Sequence, residues 1–164
     1  MKIGISQCLA GVCCTYKGTH NQVDIIKKMY DQGDVVSVCP EVLGGLPTPR
    51  CPSEIQAIQP LSVINQDGDN VTKEYLKGAY DALNIFLQEG VDVALLKARS
   101  PSCGKDEIYD GTFSHTIVHE SGVFAKLCQE QGIKVFHEEE LEEFIKYIRE
   151  DEFYGTYFKN ETSV

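Results

Sequence analysis

Lys2-Ile3-Gly4-Ile5-Ser6-Gln7-Cys8 and Val35-Val36-Ser37-Val38-Cys39 are two short runs, each ending in a cysteine. A polar loop and a helical-looking stretch, Val23 to Gln32, separate them, so this part of the chain reads as a β-loop-helix-β unit. Val91 to Leu96 is a third such run, leading into Lys97-Ala98-Arg99-Ser100, and Ile133 to Phe136 is a fourth. Short apolar runs without polar alternation suit parallel strands buried on both faces.

Helices fill the intervals. Leu76, Ala79, Tyr80, Leu83, Phe86 and Leu87 form one apolar stripe, with Thr72 placed to cap the helix, Val71 to staple onto Leu76, and Gly90 at the C-terminal end. Val123, Phe124, Leu127 and Cys128 outline a further helix before Gly132. Leu141, Phe144, Ile145 and Ile148 outline the last, whose opening Glu138-Glu139-Glu140 suits the helix dipole. Ile58 to Asn65, followed by Asp67-Gly68, is expected to form a small hairpin arm outside the main sheet. The fold expected is therefore α/β: a three-layer, Rossmann-like α/β/α arrangement around a mostly parallel sheet, with a β-hairpin arm. One domain over residues 1–150 and a tail over 151–164 are expected, the tail's Phe153, Tyr154, Tyr157 and Phe158 covering apolar surface.

The composition narrows the function. With 25 acidic and 15 basic residues the net charge is −10, which disfavours a grip on a nucleic-acid backbone and points to a small-molecule substrate. The opening residues lack the apolar run of a signal peptide, so a cytoplasmic protein is expected, without a membrane span and as a monomer or homodimer. Seven cysteines, an odd number in a chain of this size and setting, favour metal or catalytic use over disulfides.

Ligands of open α/β sheets sit beyond the carboxyl ends of the strands. Cys8 and Cys39 end the first two strands and Cys103 lies a few residues past the third, so three distant thiols converge on one edge. Each sits in a loop of small residues, glycine or proline: Cys8-Leu9-Ala10-Gly11, the long loop from Cys39-Pro40-Glu41 through Gly44-Gly45 to Pro49-Arg50, and Ser100-Pro101-Ser102-Cys103-Gly104. Backbone can approach a bulky group closely in such loops.

These loops, with Val71-Thr72 and Ile108-Tyr109-Asp110-Gly111-Thr112-Phe113, resemble the 2-thiouracil desulfurase family from Cys8 to about Glu138. The resemblance implies a [4Fe-4S] cluster held by Cys8, Cys39 and Cys103, with a fourth iron left open to bind the sulfur of a thiolated pyrimidine. Water would attack the carbon and hydrosulfide would leave. Glu41, two residues after a ligand, is then the expected general base or proton shuttle, and Ser102 is expected to hydrogen-bond the substrate or relay a proton. Where Arg-Tyr-Asp-Gly commonly follows the cysteine matched by Cys14, this chain has Thr15-Tyr16-Lys17-Gly18, a departure that bears on the substrate.

Plainer readings stand beside these. A buried core thiol is the alternative for each cysteine; Cys128 on an apolar helix face is read that way, Cys13 and Cys14 as structural or reserve thiols, and Cys51 as incidental. Arg50 and Arg99 could bind an anion or the pyrimidine edge, or tie loops together through salt bridges. Gly44-Gly45 reads as a turn, since no nucleotide-loop lysine follows. The four histidines show no metal spacing. Three rival functions remain: a structural or regulatory zinc protein without catalysis, a metal-free cysteine hydrolase, and a desulfurase of thiolated tRNA nucleosides.

Overall fold

The computed structural model describes residues 1–159. The elements run β1 (Ile3–Ser6), α1 (Asp24–Asp31), β2 (Val36–Val38), α2 (Pro40–Leu43), β3 (Ser53–Ile58), β4 (Leu61–Asn65), α3 (Thr72–Glu89), β5 (Val93–Leu96), β6 (Ile108–Tyr109), β7 (Ile117–Val118), α4 (Val123–Glu130), β8 (Lys134–His137), α5 (Leu141–Arg149) and α6 (Glu152–Gly155), with short 3-10 turns at 7–10, 138–140 and 156–158. Strands β2, β1, β5 and β8 lie side by side in that order, every pairing parallel. The direction of winding reverses about β1, the first strand in sequence. That reversal is where an open sheet leaves a crevice at its carboxyl edge.

Strand periodicity divides the core between two faces. Ile3, Ile5, Val93 and Leu95 point to the side covered by Ile26 and Met29 of α1 and by Phe144 and Ile148 of α5. Ala94, Leu96 and Val135 point to the opposite side, against Ala79, Ala82, Leu83 and Phe86 of α3 and Phe124, Ala125 and Cys128 of α4. The result is the expected three-layer arrangement. Gly4 permits the close seating of α3, because a Cβ there would meet the Phe86 ring at 2.4 Å.

Several local expectations shift. The buried face of α3 is Tyr75, Gly78, Ala79, Ala82, Leu83 and Phe86, whereas Tyr80 and Leu87 are exposed. The helix is rotated from the purely apolar stripe because it packs small residues against α2 and inserts Tyr75 under the hairpin. Thr72 is the first helical residue and not the cap; its hydroxyl accepts the Val63 N–H at 2.9 Å, while Asn70 Oδ1 accepts the Thr72 N–H at 3.0 Å. The hairpin arm exists, but it is β3 and β4, turning at Gln59-Pro60, and Asp67-Gly68 lies beyond its second strand. The first strand, Ser-Glu-Ile-Gln-Ala-Ile, mixes polar and apolar residues and carries a bulge between Ile55 and Ala57, which hides its period of two.

Tyr154 and Phe158, in the stretch expected as a tail, are buried in the α1/α5 core, while Phe153 is exposed. Tyr154 donates its hydroxyl to the Asp34 carbonyl at 2.8 Å. Residues 160–164 of that stretch lie outside the described residues. No described helix is long and apolar enough to cross a membrane.

Candidate active site

Cys8 lies in the turn directly after β1, Cys39 follows β2 at the start of α2, and Cys103 follows β5 by way of a seven-residue loop, residues 97–103. These are three neighbouring strands of one parallel sheet, so the common strand direction delivers all three thiols to one edge. Together with Cys14 they line a cavity of about 480 Å³.

The Cys39 loop is shaped by proline at the first helical position, where its fixed φ and missing N–H are harmless. Its other determinant is a close helix crossing. A Cβ on Gly44 would lie 2.0 Å from the Glu74 carbonyl oxygen, and one on Gly78 would lie 1.8 Å from the Pro40 carbonyl oxygen. Gly44-Gly45 thus serves α2 and its turn, as the sequence suggests. In the third loop Ser100 Oγ accepts the N–H groups of Ser102 (3.1 Å) and Cys103 (3.0 Å), and the Ser102 carbonyl accepts the N–H groups of Phe124 (2.9 Å) and Ala125 (3.0 Å) at the start of α4.

The thiols differ in character. Cys14 sits between Cys8 and Cys39, its one S–H shared between their sulfurs, and Cys39 Sγ lies 3.8 Å from the Cys14 carbonyl oxygen. That hydrogen bond is the main cause that lowers Cys8 and brings Cys39 down to about 7, while Cys14, the donor, is pushed far up. Burial pushes Cys103 up, against a hydrogen bond from Ser6. Four thiols and Glu41 gathered around one cavity favour a positively charged inorganic centre there. Among the described residues no three histidine, cysteine, aspartate or glutamate side chains converge on a point that would hold a single ion. Iron–sulfur clusters are held by cysteine thiolates, and Cys8, Cys39 and Cys103 supply three around one cavity, so the donor set fits a cluster.

Glu41 lines the cavity. Its Oε1 accepts the Tyr75 hydroxyl at 2.7 Å and lies 3.5 Å from Arg50 Nε. Burial, and then the Glu41 charge, push the Tyr75 hydroxyl well up, so it stays a donor. Arg50 donates to the carbonyls of Cys14 (2.8 Å) and Pro47 (3.2 Å) and to Thr48 Oγ1 (3.1 Å), tying the first two cysteine loops together. Arg99 pairs with Glu139, the loop-tying role weighed from sequence.

Ser102 is placed differently from Glu41. It is almost wholly buried, its Oγ has no partner, and it does not line the cavity, whereas Ser100 and Ser6 do. Sequence reasoning passed over Ser6, Ser100, Lys97 and His115, all on the cavity wall, as well as the cavity position of Cys14. Strand alternation offered one signal: Ser6 is a polar residue at the carboxyl end of a buried strand. Cys13 is exposed, Cys51 is half-buried, and Cys128 is a core thiol that burial pushes up to about 12.

Fold and site together define an α/β protein with a thiol-lined cavity at the carboxyl edge of its parallel sheet. The chain belongs to the 2-thiouracil desulfurase family, matched over residues 3–140. It is 38% identical over 148 residues to the uncharacterized protein YbbK of Bacillus subtilis (strain 168), covering 86% of this chain and 98% of that one. Among solved structures it is similar to the [4Fe-4S]-dependent thiouracil desulfidase TudS, with a TM-score of 0.80 and 39% identity over 87% of this chain and 93% of that one.

Proposed function

We propose that this protein is a [4Fe-4S]-dependent thiouracil desulfidase that replaces the sulfur of a thiolated pyrimidine with oxygen from water and releases hydrosulfide. Family membership and the solved relative support the activity and the cofactor. The observation that carries the reading in this chain is the arrival of Cys8, Cys39 and Cys103 from three adjacent parallel strands at one cavity that also holds Glu41.

Cys8, Cys39 and Cys103 would hold the cluster. When bound, it supplies an iron without a protein ligand, a Lewis acid for the thiocarbonyl sulfur. The remaining roles belong to the chain's own side chains. Glu41 Oε1 is fixed by Tyr75, and Oε2, which accepts no hydrogen bond from the described residues, is the atom proposed to take a proton from the attacking water. The C–S bond then breaks as the C–O bond completes, and the sulfur leaves as hydrosulfide. No external oxidant or reductant is consumed.

For the hydroxyl expected of Ser102, the geometry favours its loop neighbour. Ser100 accepts two backbone N–H groups through its lone pairs, which leaves its own O–H to donate within the cavity. Lys97, paired with Glu138 at 2.6 Å, adds positive charge to the wall. Seven unpaired cysteines support a cytoplasmic, reducing setting.

The test is anaerobic reconstitution with iron and sulfide, followed by measurement of sulfide release from 2-thiouracil, 4-thiouracil and a thiolated tRNA. Brown protein that releases sulfide from a free base and not from the RNA is expected. Colourless protein carrying equimolar zinc, or cluster-loaded protein inert toward all three, refutes the reading.

A further inference from the structure

The cavity contains a second carboxylate, on the side formed by the hairpin. Glu54 of β3 is 9% exposed, a rare degree of burial for a glutamate, and it lines the same cavity as the thiols. Its Oε1 accepts two backbone N–H groups, from Gly111 at 3.0 Å and Phe113 at 3.1 Å. Gln56 of the same strand adds a bond from Nε2 to the Gly111 carbonyl at 3.2 Å. The segment so clamped is tightly seated: Gly111 has φ +94° and a Cβ there would meet the Gln56 Cα at 2.8 Å, while Phe113 and His115 also have positive φ. It brings Tyr109, Phe113 and His115 to the cavity wall. Oε2 of Glu54 accepts no hydrogen bond from any described residue.

With one oxygen held by two backbone N–H groups, the carboxylate is fixed in place, and its other oxygen is open to the cavity, where a bound ring can replace water as the donor. The aromatic side chains beside it offer flat faces for a planar ring. A thiolated pyrimidine carries ring N–H groups next to its thiocarbonyl carbon, and an N–H to carboxylate bond is of the strong, charge-assisted kind. Resting on the desulfuration reading for the identity of the ring, we infer that Glu54 is the residue that recognises the substrate, its free oxygen accepting a pyrimidine ring N–H while the other oxygen fixes the aromatic loop. Glu41 and Glu54 then divide the chemistry, the first serving the water and the second the ring. A ring methylated at the nitrogen that Glu54 reads would lose its donor and collide with the carboxylate.

The experiment compares equilibrium binding of four compounds to cluster-loaded enzyme: uracil, 2-thiouracil, N1-methyl-2-thiouracil and N3-methyl-2-thiouracil. Wild-type enzyme is expected to bind one methyl isomer at least about 10-fold more weakly than 2-thiouracil, the size of one good hydrogen bond to a charged group. Glu54→Gln keeps an acceptor for the loop but presents an amide donor to the ring N–H. In that variant 2-thiouracil and uracil should both weaken about 10-fold or more, and the discrimination against that isomer should vanish. Glu54→Asp, which shortens the reach, should weaken both unmethylated rings while keeping the preference. Uracil lacks the sulfur, so its loss of affinity in Glu54→Gln reports ring recognition whether or not sulfide is ever released. Binding with these preferences but without sulfide release would uphold Glu54 and sink the desulfuration reading. Equal binding of both methyl isomers and the parent by wild type, or a uniform loss across all four compounds in the variants, overturns the assignment.

Discussion

Glu41 is held by Tyr75 through Oε1, with Arg50 Nε 3.5 Å away, so its replacement by glutamine preserves shape and leaves the Tyr75 donor satisfied. What it removes is the ability to accept a proton. Glu41→Gln is expected to keep full iron content and the brown absorption while losing about 100-fold or more in turnover. Normal sulfide release by the brown variant would end the base assignment. The two loop serines separate in the same assay. Ser100→Ala removes both a cavity donor and the acceptor for two N–H groups, and should lower turnover and loosen cluster retention. Ser102→Ala removes a hydroxyl already without a partner, so it should leave stability within about 1 kcal/mol of wild type or improve it. A larger turnover loss in Ser102→Ala than in Ser100→Ala would restore Ser102 to the role first expected of it.

The α2–α3 crossing is where local structure governs the site. Pro40 and Gly44 on one side and Glu74 and Gly78 on the other bring backbones together with no room for a methyl group. Gly78→Ala must push α2 away, an overpacking strain of about 1–3 kcal/mol or more, and α2 carries both Glu41 and, at its cap, Cys39. The variant should melt lower and load less iron per chain, whereas Leu87→Ala at an exposed position of the same helix should change neither measurably. Unchanged iron loading in Gly78→Ala would show that the crossing does not position Cys39.

Much of this was readable from residues alone, for a physical reason. Parallel strands buried on both faces advertise themselves as apolar runs, and a cysteine that ends such a run is assigned to the carboxyl edge by topology, as for Cys8 and Cys39. Glu41 follows from its distance to Cys39. The arm was harder, because β3 is bulged and one of its polar residues, Glu54, faces inward to the cavity. Ser102 and Ser100 differ only in how their loop folds back on Phe124 and Ala125, a tertiary matter with no trace in spacing. Glu138-Glu139-Glu140 looked like a helix start serving a dipole; each carboxylate also pairs across space with a base on the Cys103 side, Lys97, Arg99 and Lys105 respectively.

Two of those pairs, Arg99–Glu139 and Lys105–Glu140, give the whole protein an expected response to acid. Hydrogen bonding from Arg99 holds the Glu139 carboxyl below its ordinary range; at Glu140 burial acts upward but is outweighed by Lys105 and the His137 N–H, so it too is depressed. A carboxylate depressed in the folded state binds its proton more readily when unfolded. Its stabilisation is therefore complete above the unfolded value, about 4.3 for glutamate, and disappears as the pH falls through the lower folded value. The melting temperature of the reduced apoprotein should hold from neutrality to about pH 5 and decline below about pH 4. These exposed pairs are screened, so the share they contribute should shrink in high salt. A Glu139→Gln, Glu140→Gln double variant isolates that share: it should melt below wild type at pH 7, and the gap should close as the pH falls through the lowered range of the native carboxylates. A constant offset between the two proteins across the whole pH range would show that the two side chains act through packing and not through charge.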